Sequence, residues 1–341
     1  MSVCAPAVVT RSEHRLWAQL GLWLLVFFGV PPEVLAHDPV ALLERMAESS
    51  HLLNYDGIFV YRRAGASDSM RIIHRASADG GTERLMTLSG ESREIVRDAE
   101  GTRCFLADSG EMVLLRSAPR PLMPTEITRP WAQIGEFYTF NLEGTDRVAG
   151  RSARVVAISP RTADRYGYRL WLDVESGLLL RSDLVNGEGI VLEQVEFLSL
   201  EFPERIPDEL LRPAPAVAAD AGTVQSLTDR QPDKPSGGAK SGGASWRAAW
   251  LPAGFKLEHV QRLSHGKPGP AFEHLAYSDG LTVLSVFVEA SGHAPEGATG
   301  FSVLGAAVSF STENDGHTIT VVGEAPPLTV RRVAEGIERQ P

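Results

Sequence analysis

The segment YRLWLDVESGLLLRSDL, residues 168–184, decides the fold, because two β-rich runs flank the turn Glu175-Ser176-Gly177. In the first run large apolar side chains occupy both parities, so that Leu170 and Leu172 point one way and Trp171 points the other. Such a strand is covered on both faces, or one of its faces lines an apolar cavity.

The same pattern continues on both sides of this segment, from Ile58 to Phe202. Strand-like runs follow one another at roughly 8–12-residue spacing without helices between them, which predicts an antiparallel sheet. About ten strands are too many for a flat open sheet, so we expect them to curl into a barrel or half-barrel. An opening helix, with Asp38 suited to the N-cap and Pro39 to the first helical position, should pack on that sheet. The predicted fold class is mainly β (α+β).

Residues 1–36 have the anatomy of a secretory signal. Arg11 and Arg15 form a basic region, an apolar run follows from Leu16 to Val30, and Val34-Leu35-Ala36 suits signal peptidase. A membrane anchor is the alternative, but about 15 apolar residues fall short of the roughly 20 that a span needs. We therefore expect cleavage after Ala36 and a soluble, exported mature chain.

The exported chain divides at a change of composition. Residues 37–212 form the first, β-rich domain, and residues 213–245 contain runs of Pro, Gly, Ser and Ala that predict a flexible linker. Residues 246–341 form a small α+β domain with an antiparallel sheet. Asp279-Gly280 and Asp315-Gly316 predict type I′ hairpins, and Ser302–Ser311 predicts one strand. A closing helix should bury Val330, Val333, Ala334 and Ile337.

The search for catalytic chemistry finds little. The formal net charge is −10 without basic runs, which argues against nucleic acid as a partner. No nucleophile-elbow, phosphate-loop, zinc-protease or Cys-x-x-Cys motif is present, and the histidines lack metal-ligand spacing. Cys104 is the only cysteine of the mature chain and fits a buried, inert thiol. We expect no enzyme activity, no cofactor and no metal site.

The distinctive side chains of the first domain are aromatic instead. Trp131, Phe137, Tyr138 and Phe140 cluster after a proline-rich loop. The group is either part of the core or the wall of a hydrophobic cleft, since a half-barrel with one helix does not easily fill itself. Apolar pockets bind apolar ligands, so these four residues are the predicted lipid-binding site.

Ordered motifs in both domains resemble the periplasmic sigma-E regulatory proteins of the MucB/RseB family. In the first domain the resemblance is carried by Asn54–Tyr61, Glu83–Arg97, Arg147–Arg151 and Arg165–Asp173. In the second domain it is carried by His274–Leu281, Ser285–Glu289 and Thr320–Pro326. The resemblance covers nearly all of the mature chain, although the long linker departs from the family pattern and leaves the relative orientation of the domains open.

This resemblance implies a first domain like the lipoprotein carriers of the LolA/LolB type, with a curved antiparallel sheet wrapped over helices. It also implies a periplasmic negative regulator that binds the periplasmic part of a transmembrane anti-sigma factor of the RseA/MucA type. Bound there, the protein would shield its partner from site-1 proteolysis. Lipid from lipopolysaccharide or mislocalised lipoprotein would release it and start the envelope-stress response. On this basis Tyr277 and Phe287 are the predicted partner-binding residues.

Two other functional classes stay open at this point. A pure lipid or lipoprotein carrier of the LolA type would share the first domain but has no need of the second. A periplasmic hydrolase would need a nucleophile and a base that the sequence does not offer. The residues leave three questions open. They do not show whether the chain forms a homo-oligomer, which lipid it senses or which segment of the anti-sigma factor it binds.

Overall fold

The computed structural model describes residues 38–77, 81–106, 111–115, 127, 129–213, 223–226, 244–264, 271–291 and 299–340. It begins with helix α1, Pro39–Leu52, at the N-terminus of which the Asp38 side chain accepts a hydrogen bond from the Val40 amide at 3.0 Å. This cap satisfies one of the amides that a helix leaves unpaired at its start. Leu43 and Met46 lie on the face of the helix that is turned to the sheet, and both are fully buried.

In the described ranges, the first domain is one open sheet of twelve strands with two further short helices, α2 (Trp131–Ile134) and α3 (Asp208–Leu211). The strands are β1 Tyr55–Arg63, β2 Ala66–Arg75, β3 Thr82–Thr87, β4 Arg93–Asp98, β5 Gly101–Leu106, β6 Glu111–Leu115, β7 Tyr138–Val148, β8 Arg151–Pro160, β9 Gly167–Asp173, β10 Leu179–Val185, β11 Val191–Glu201 and β12 Thr223–Ser226. Their order across the sheet is β12-β6-β5-β4-β3-β2-β1-β11-β10-β9-β8-β7. All neighbours are antiparallel except β12 and β6.

The sheet has an inner face, against which α1 packs, and an outer face. On β9, Leu170 and Leu172 share the buried cluster of α1 and lie on the inner face. Trp171 points to the outer face, where the Arg181 guanidinium covers its ring at 4.1 Å. The prediction that large side chains on both parities mean coverage on both faces is therefore confirmed.

The last residues of the first domain cross the outer face. Ile206 and Leu211 pack against Ile73 of β2, whose neighbour Ile72 belongs to the inner face. Arg84 Nη1 donates to the Leu210 carbonyl at 3.1 Å. The chain therefore leaves the first domain, at Pro213, from the outer side of the sheet.

The second domain is a six-stranded antiparallel sheet with one helix on one face. Its elements are β13 Trp246–Ala248, β14 Lys256–Ser264, β15 Ala271–Ser278, β16 Val283–Ala290, β17 Gly300–Leu304, β18 Ala307–Asn314, β19 His317–Gly323, α4 Pro327–Glu335 and β20 Ile337–Arg339. The sheet order is β14-β15-β16-β19-β18-β17, and β13 pairs with β20 beside it. Val330 and Val333 of α4 are fully buried against the sheet. Together the two domains confirm the predicted fold class.

Several local predictions need correction. Ile337 is buried but begins β20, because α4 ends at Glu335 and Gly336 follows it as the C-cap. Ser302–Ser311 is not one strand, since Gly305 adopts a φ of 63° and the chain turns back between β17 and β18. The residues predicted as linker, 213–245, include strand β12. Asp315-Gly316 has two positive φ angles, as a type I′ turn requires, whereas Asp279-Gly280 does not.

Candidate functional site

The second domain closes the inner face of the first domain. Leu281 and Ala306 of the second domain belong to the same buried cluster as Leu43 and Met46 of α1. The first-domain core is therefore completed by two loops of the second domain, the β15–β16 loop and the β17–β18 turn. This interdomain junction is the candidate functional site, because a ligand or partner that reaches the inner face from this side must displace it.

A buried ion pair lies at the centre of the junction. Arg165 Nη1 lies 2.7 Å from Asp279 Oδ2, and the two side chains are 1% and 0% exposed. Tyr138 donates its hydroxyl to the same Asp279 oxygen at 2.9 Å, and Arg165 Nη2 donates to the Ala253 carbonyl at 2.6 Å. Burial raises the pKa of the Tyr138 hydroxyl, and the Asp279 carboxylate raises that pKa further. The Tyr138 hydroxyl therefore stays protonated and donates its hydrogen bond at any physiological pH.

Aromatic rings from both domains surround the guanidinium of Arg165. Its Cζ lies 5.5 Å from the ring centroid of Phe137, 5.4 Å from that of Tyr138 and 5.3 Å from that of Phe255. A cation over aromatic faces gains attraction from the ring quadrupoles, and more so where water is absent. The attraction within a buried ion pair can be smaller than the cost of removing its charges from water. The contacts with the aromatic rings offset part of that cost.

Two further sets of hydrogen bonds flank the ion pair. On one side Arg129 donates to the Gly254 and Ser278 carbonyls, both at 2.7 Å, and to Glu258 at 2.5 Å. On the other side Glu193 accepts the Ala306 amide at 2.9 Å and the Tyr61 hydroxyl at 2.7 Å. Polar bonds therefore fix the second domain at several separate points of the inner face.

Local backbone geometry prepares the second-domain side of the junction. Asp279 Oδ1 accepts the amides of Leu281 and Thr282 at 3.0 and 2.7 Å, which holds the loop and leaves Oδ2 free to meet Arg165. Gly254 has a φ of 90°, and a Cβ there would lie 2.4 Å from the Phe137 ring. Glycine is needed at this position both for its backbone conformation and for the close approach of the ring.

The structure brings the four predicted lipid-binding residues together on the inner face at this junction. Trp131 and Tyr138 are buried, and the Trp131 ring meets Phe140 edge-on at 5.6 Å. Phe137 and Phe140 are partly buried and pack against the same cluster. These side chains form part of the first-domain core and of its interface with the second domain.

The two predicted partner-binding residues lie on opposite faces of the second sheet. Tyr277 is buried in the core under α4, where its hydroxyl accepts the Ala248 amide at 3.1 Å. Phe287 is partly buried on the other face and stacks on His274 at 4.6 Å between ring centroids. A single partner surface cannot contact both rings. Phe287 keeps the accessible position, and Tyr277 has a structural role.

Sequence reasoning missed Arg165, Asp279 and Arg129 as site residues. Asp279 was interpreted as a turn residue, and an isolated arginine gives no sign that it will be buried. The available signal was the resemblance itself, since Arg165 begins the segment Arg165–Asp173 and Asp279 lies within His274–Leu281. The structure joins these two segments across the junction.

Within the described part of the chain, no group of three or more His, Cys, Asp or Glu side chains could hold a metal ion. Burial raises the pKa of the half-buried Cys104 thiol, which disfavours the reactive thiolate. None of the helices in the described ranges combines the length and apolar character needed to cross a membrane.

Comparison with known proteins gives matches over both domains. Models of the MucB/RseB N-terminal domain and the MucB/RseB C-terminal domain match residues 38–215 and 240–338. Sigma factor AlgU regulatory protein MucB of Pseudomonas aeruginosa is 35% identical over 325 residues, which cover 93% of this chain and 96% of that protein. Sigma-E factor regulatory protein RseB of Escherichia coli K12 is 28% identical over 303 residues, which cover 87% and 90%. The crystal structure of MucB in complex with MucA(peri) superposes with a TM-score of 0.68 at 31% identity and covers 89% of this chain and 100% of that one.

Proposed function

Because the chain belongs to the MucB/RseB family, we propose that it is a periplasmic negative regulator of the sigma-E envelope-stress response. In this proposal it binds the periplasmic part of a transmembrane anti-sigma factor, as the solved complex of its relative MucB with MucA(peri) suggests. The secretory signal of residues 1–36 supports export to the compartment where that partner is exposed.

The observation that carries the proposal is the closed junction on the inner face. The second domain contributes Leu281 and Ala306 to the first-domain core and Asp279 to a fully buried ion pair. An ion pair of this kind is stable only while both charges stay together, because one buried charge without its partner is costly. In this proposal the two domains have two arrangements, docked or separated, and a regulatory ligand shifts the equilibrium between them.

The position of the aromatic residues supports a proposal of lipid sensing. An acyl chain that reaches Trp131, Phe137, Tyr138 and Phe140 must compete with the second domain for the same surface. Each CH₂ group that becomes buried contributes about 0.8 kcal/mol, so several methylenes can offset the loss of the interdomain contacts. Lipid would then favour the separated arrangement.

Binding of the anti-sigma factor would favour the docked arrangement. The bound partner would be shielded from site-1 proteolysis, and lipid would release it by drawing the domains apart. Such release requires lipid to bind the partner-free state more tightly, since equal affinity for both states shifts nothing. By linkage the partner must weaken lipid binding by the same factor, about 5–150-fold for a coupling of roughly 1–3 kcal/mol.

The test is a titration of the anti-sigma periplasmic segment into the full protein, with and without saturating lipid that carries a long acyl chain. We expect lipid to weaken the affinity for the segment, and Phe137→Ala with Phe140→Ala to reduce both lipid affinity and this effect. Leu198→Ala serves as a control, because Leu198 is an exposed apolar residue in β11 that belongs to no part of the junction. Unchanged affinity for the segment in the presence of lipid would exclude lipid sensing.

A lipid carrier of the LolA type remains the alternative, favoured by the sheet wrapped over helices. The two functions differ in what the second domain does. A chain that ends before Pro213 should bind lipid in both cases, but a regulator so truncated should hold the anti-sigma segment poorly. If neither the full nor the truncated protein binds that segment while both bind lipid, the carrier is the better description.

A further inference from the structure

Strand β17, Gly300–Leu304, is an exposed and apolar edge of the second sheet. Phe301, Val303 and Leu304 are 47%, 59% and 55% exposed. Within the described ranges, β17 pairs with β18 alone, and no strand adjoins its other side. Its free side therefore presents unpaired backbone groups beside apolar side chains.

Other sheet edges of the protein are protected in ways that β17 is not. Strand β14, at the opposite edge of the same sheet, carries Lys256, Glu258 and Arg262 and has a bulge between Leu257 and His259. Edge strand β7 carries charged residues and a bulge at Leu142/Gly144. Charges, prolines and bulges are the devices by which proteins keep edges from pairing with another chain. Strand β17 has none of these, which indicates an edge kept open for pairing.

The turn geometry shows which backbone groups are offered. Strands β17 and β18 are joined by the two-residue turn Gly305-Ala306, closed by the pair Leu304 and Ala307. In such a hairpin the closing pair exchanges both of its hydrogen bonds, and the bonding direction alternates along the strand. The N–H and C=O groups of Phe301 and Val303 therefore point to the free edge.

The side chains of the same two residues form an incomplete apolar surface. Val303 lies opposite Val308, which is buried in the second-domain core, and Phe301 lies opposite Phe310 with 4.7 Å between ring centroids. They extend the core face by one strand, but their outer flanks are open. An added strand with apolar residues at alternate positions would cover them.

This edge is continuous with the interdomain junction. The turn that ends β17 donates the Ala306 amide to Glu193 of the first domain, and Gly305 approaches the Arg63 side chain. Ile190 and Val191, both exposed, lie two or three residues before Glu193 on the first domain. An extended chain that follows β17 past Leu304 therefore comes to the first domain.

We propose that the β17 edge binds an extended segment of the anti-sigma partner, with apolar side chains at alternate positions, by β-strand addition. The added segment becomes the seventh strand of the second sheet and continues onto the first domain, so that it holds the two domains together. The inference rests on the proposed function and assigns its partner a binding surface. A second copy of this chain is the weaker occupant, because the net charge of −10 makes two copies repel.

The test uses a proline that removes only an outward N–H. In the full two-domain protein, Val303→Pro deletes a donor that the β17–β18 ladder does not use, and proline is tolerated at such edge positions. Val303→Thr is the matched control, since it keeps the N–H and the branched side chain. We expect Val303→Pro to weaken affinity for the anti-sigma periplasmic segment by about fivefold to tenfold, and Val303→Thr to leave it within about twofold.

Hydrogen exchange on the unaltered protein gives a second reading, since the amides of Phe301 and Val303 should become protected when the segment binds. If Val303→Pro lowers the melting temperature markedly, Val303→Lys replaces it, because it keeps the N–H but adds a charge to the edge. If these variants bind the segment with normal affinity, or if the two amides gain no protection, β17 is not the binding edge, while the proposed function stays intact. If a variant binds the segment normally but changes its oligomeric state, β17 pairs with a second copy of this chain instead. Absence of binding by the unaltered protein refutes both proposals.

Discussion

Replacing Arg165 by methionine should open the interdomain junction while both domains stay folded. Met is close to Arg in length and fills the space between Phe137 and Phe255, but it leaves the fully buried Asp279 carboxylate without its cation. Breaking a buried ion pair from one side costs about 3–5 kcal/mol. Since about 1.4 kcal/mol is a factor of ten, the docked population should fall by about two to four powers of ten relative to the separated one.

The Ala306 amide is a suitable reporter, because it donates to Glu193 across the junction and is remote in sequence from both charges. Its hydrogen exchange should accelerate in Arg165→Met by about the same two to four powers of ten. Arg247→Met removes an arginine from the exposed pair with Glu338 and should change stability by less than about 1 kcal/mol. The double variant Arg165→Met/Asp279→Asn should be less damaging than Arg165→Met alone, because no unpaired charge remains. Unchanged exchange at Ala306 in Arg165→Met would show that the ion pair does not hold the domains together.

Three further predictions concern other parts of the chain. Burial lowers the pKa of His74 in the folded protein, so the unfolded state binds a proton at this residue more readily. The stability of the fold should therefore decrease as the pH drops from 7 through 6 towards the lowered pKa. His74→Gln should flatten this dependence in melting curves at pH 7.5, 6.5 and 5.5. Gly254→Ala should weaken the junction by about 1–3 kcal/mol, because the new Cβ would meet Phe137 at a position with positive φ. Gly187→Ala is the control and should have no such effect, because the space around Gly187 is open. Hydrogen exchange of the Ala306 amide is the measurement. The exported protein should begin at His37, and mass spectrometry that finds Met1 retained would contradict the signal peptide.

The sequence was sufficient for features that depend on local patterns. The N-cap of α1, the succession of strands from Ile58 to Phe202 and the type I′ turn at Asp315-Gly316 all follow from residue periodicity and backbone preference. The ends are less accurate, since the first strand begins at Tyr55, three residues before Ile58. Trp131, Phe137, Tyr138 and Phe140 do lie together, because residues so close in sequence rarely lie far apart in the fold, and their role in lipid binding stays a prediction.

The junction could not be predicted, because its energetics depend on residues that are distant in sequence. Asp279-Gly280 has the composition of a type I′ turn, but the carboxylate is needed by Arg165, 114 residues away, and the loop adopts another geometry. The turn at Gly305-Ala306 was hidden inside a continuous apolar run, and it is the part of the second domain that meets Glu193. Tyr277 resembles an exposed aromatic in sequence, and only the packing of α4 on its strand shows that it is buried.

The two domains meet on the side of the sheet opposite to the one where the first domain ends. The first domain ends on the outer side of its sheet, where Ile206 and Leu211 pack, whereas the second domain docks on the inner side. Between these two ends, the described strand β12 pairs with β6 at the far edge of the sheet. Because this connection joins an end on the outer side to a domain on the inner side, its length decides which inner face the second domain can reach. A chain in which it is shortened can no longer reach its own inner face, and the second domain would then dock on the first domain of a neighbouring molecule, giving an exchanged dimer.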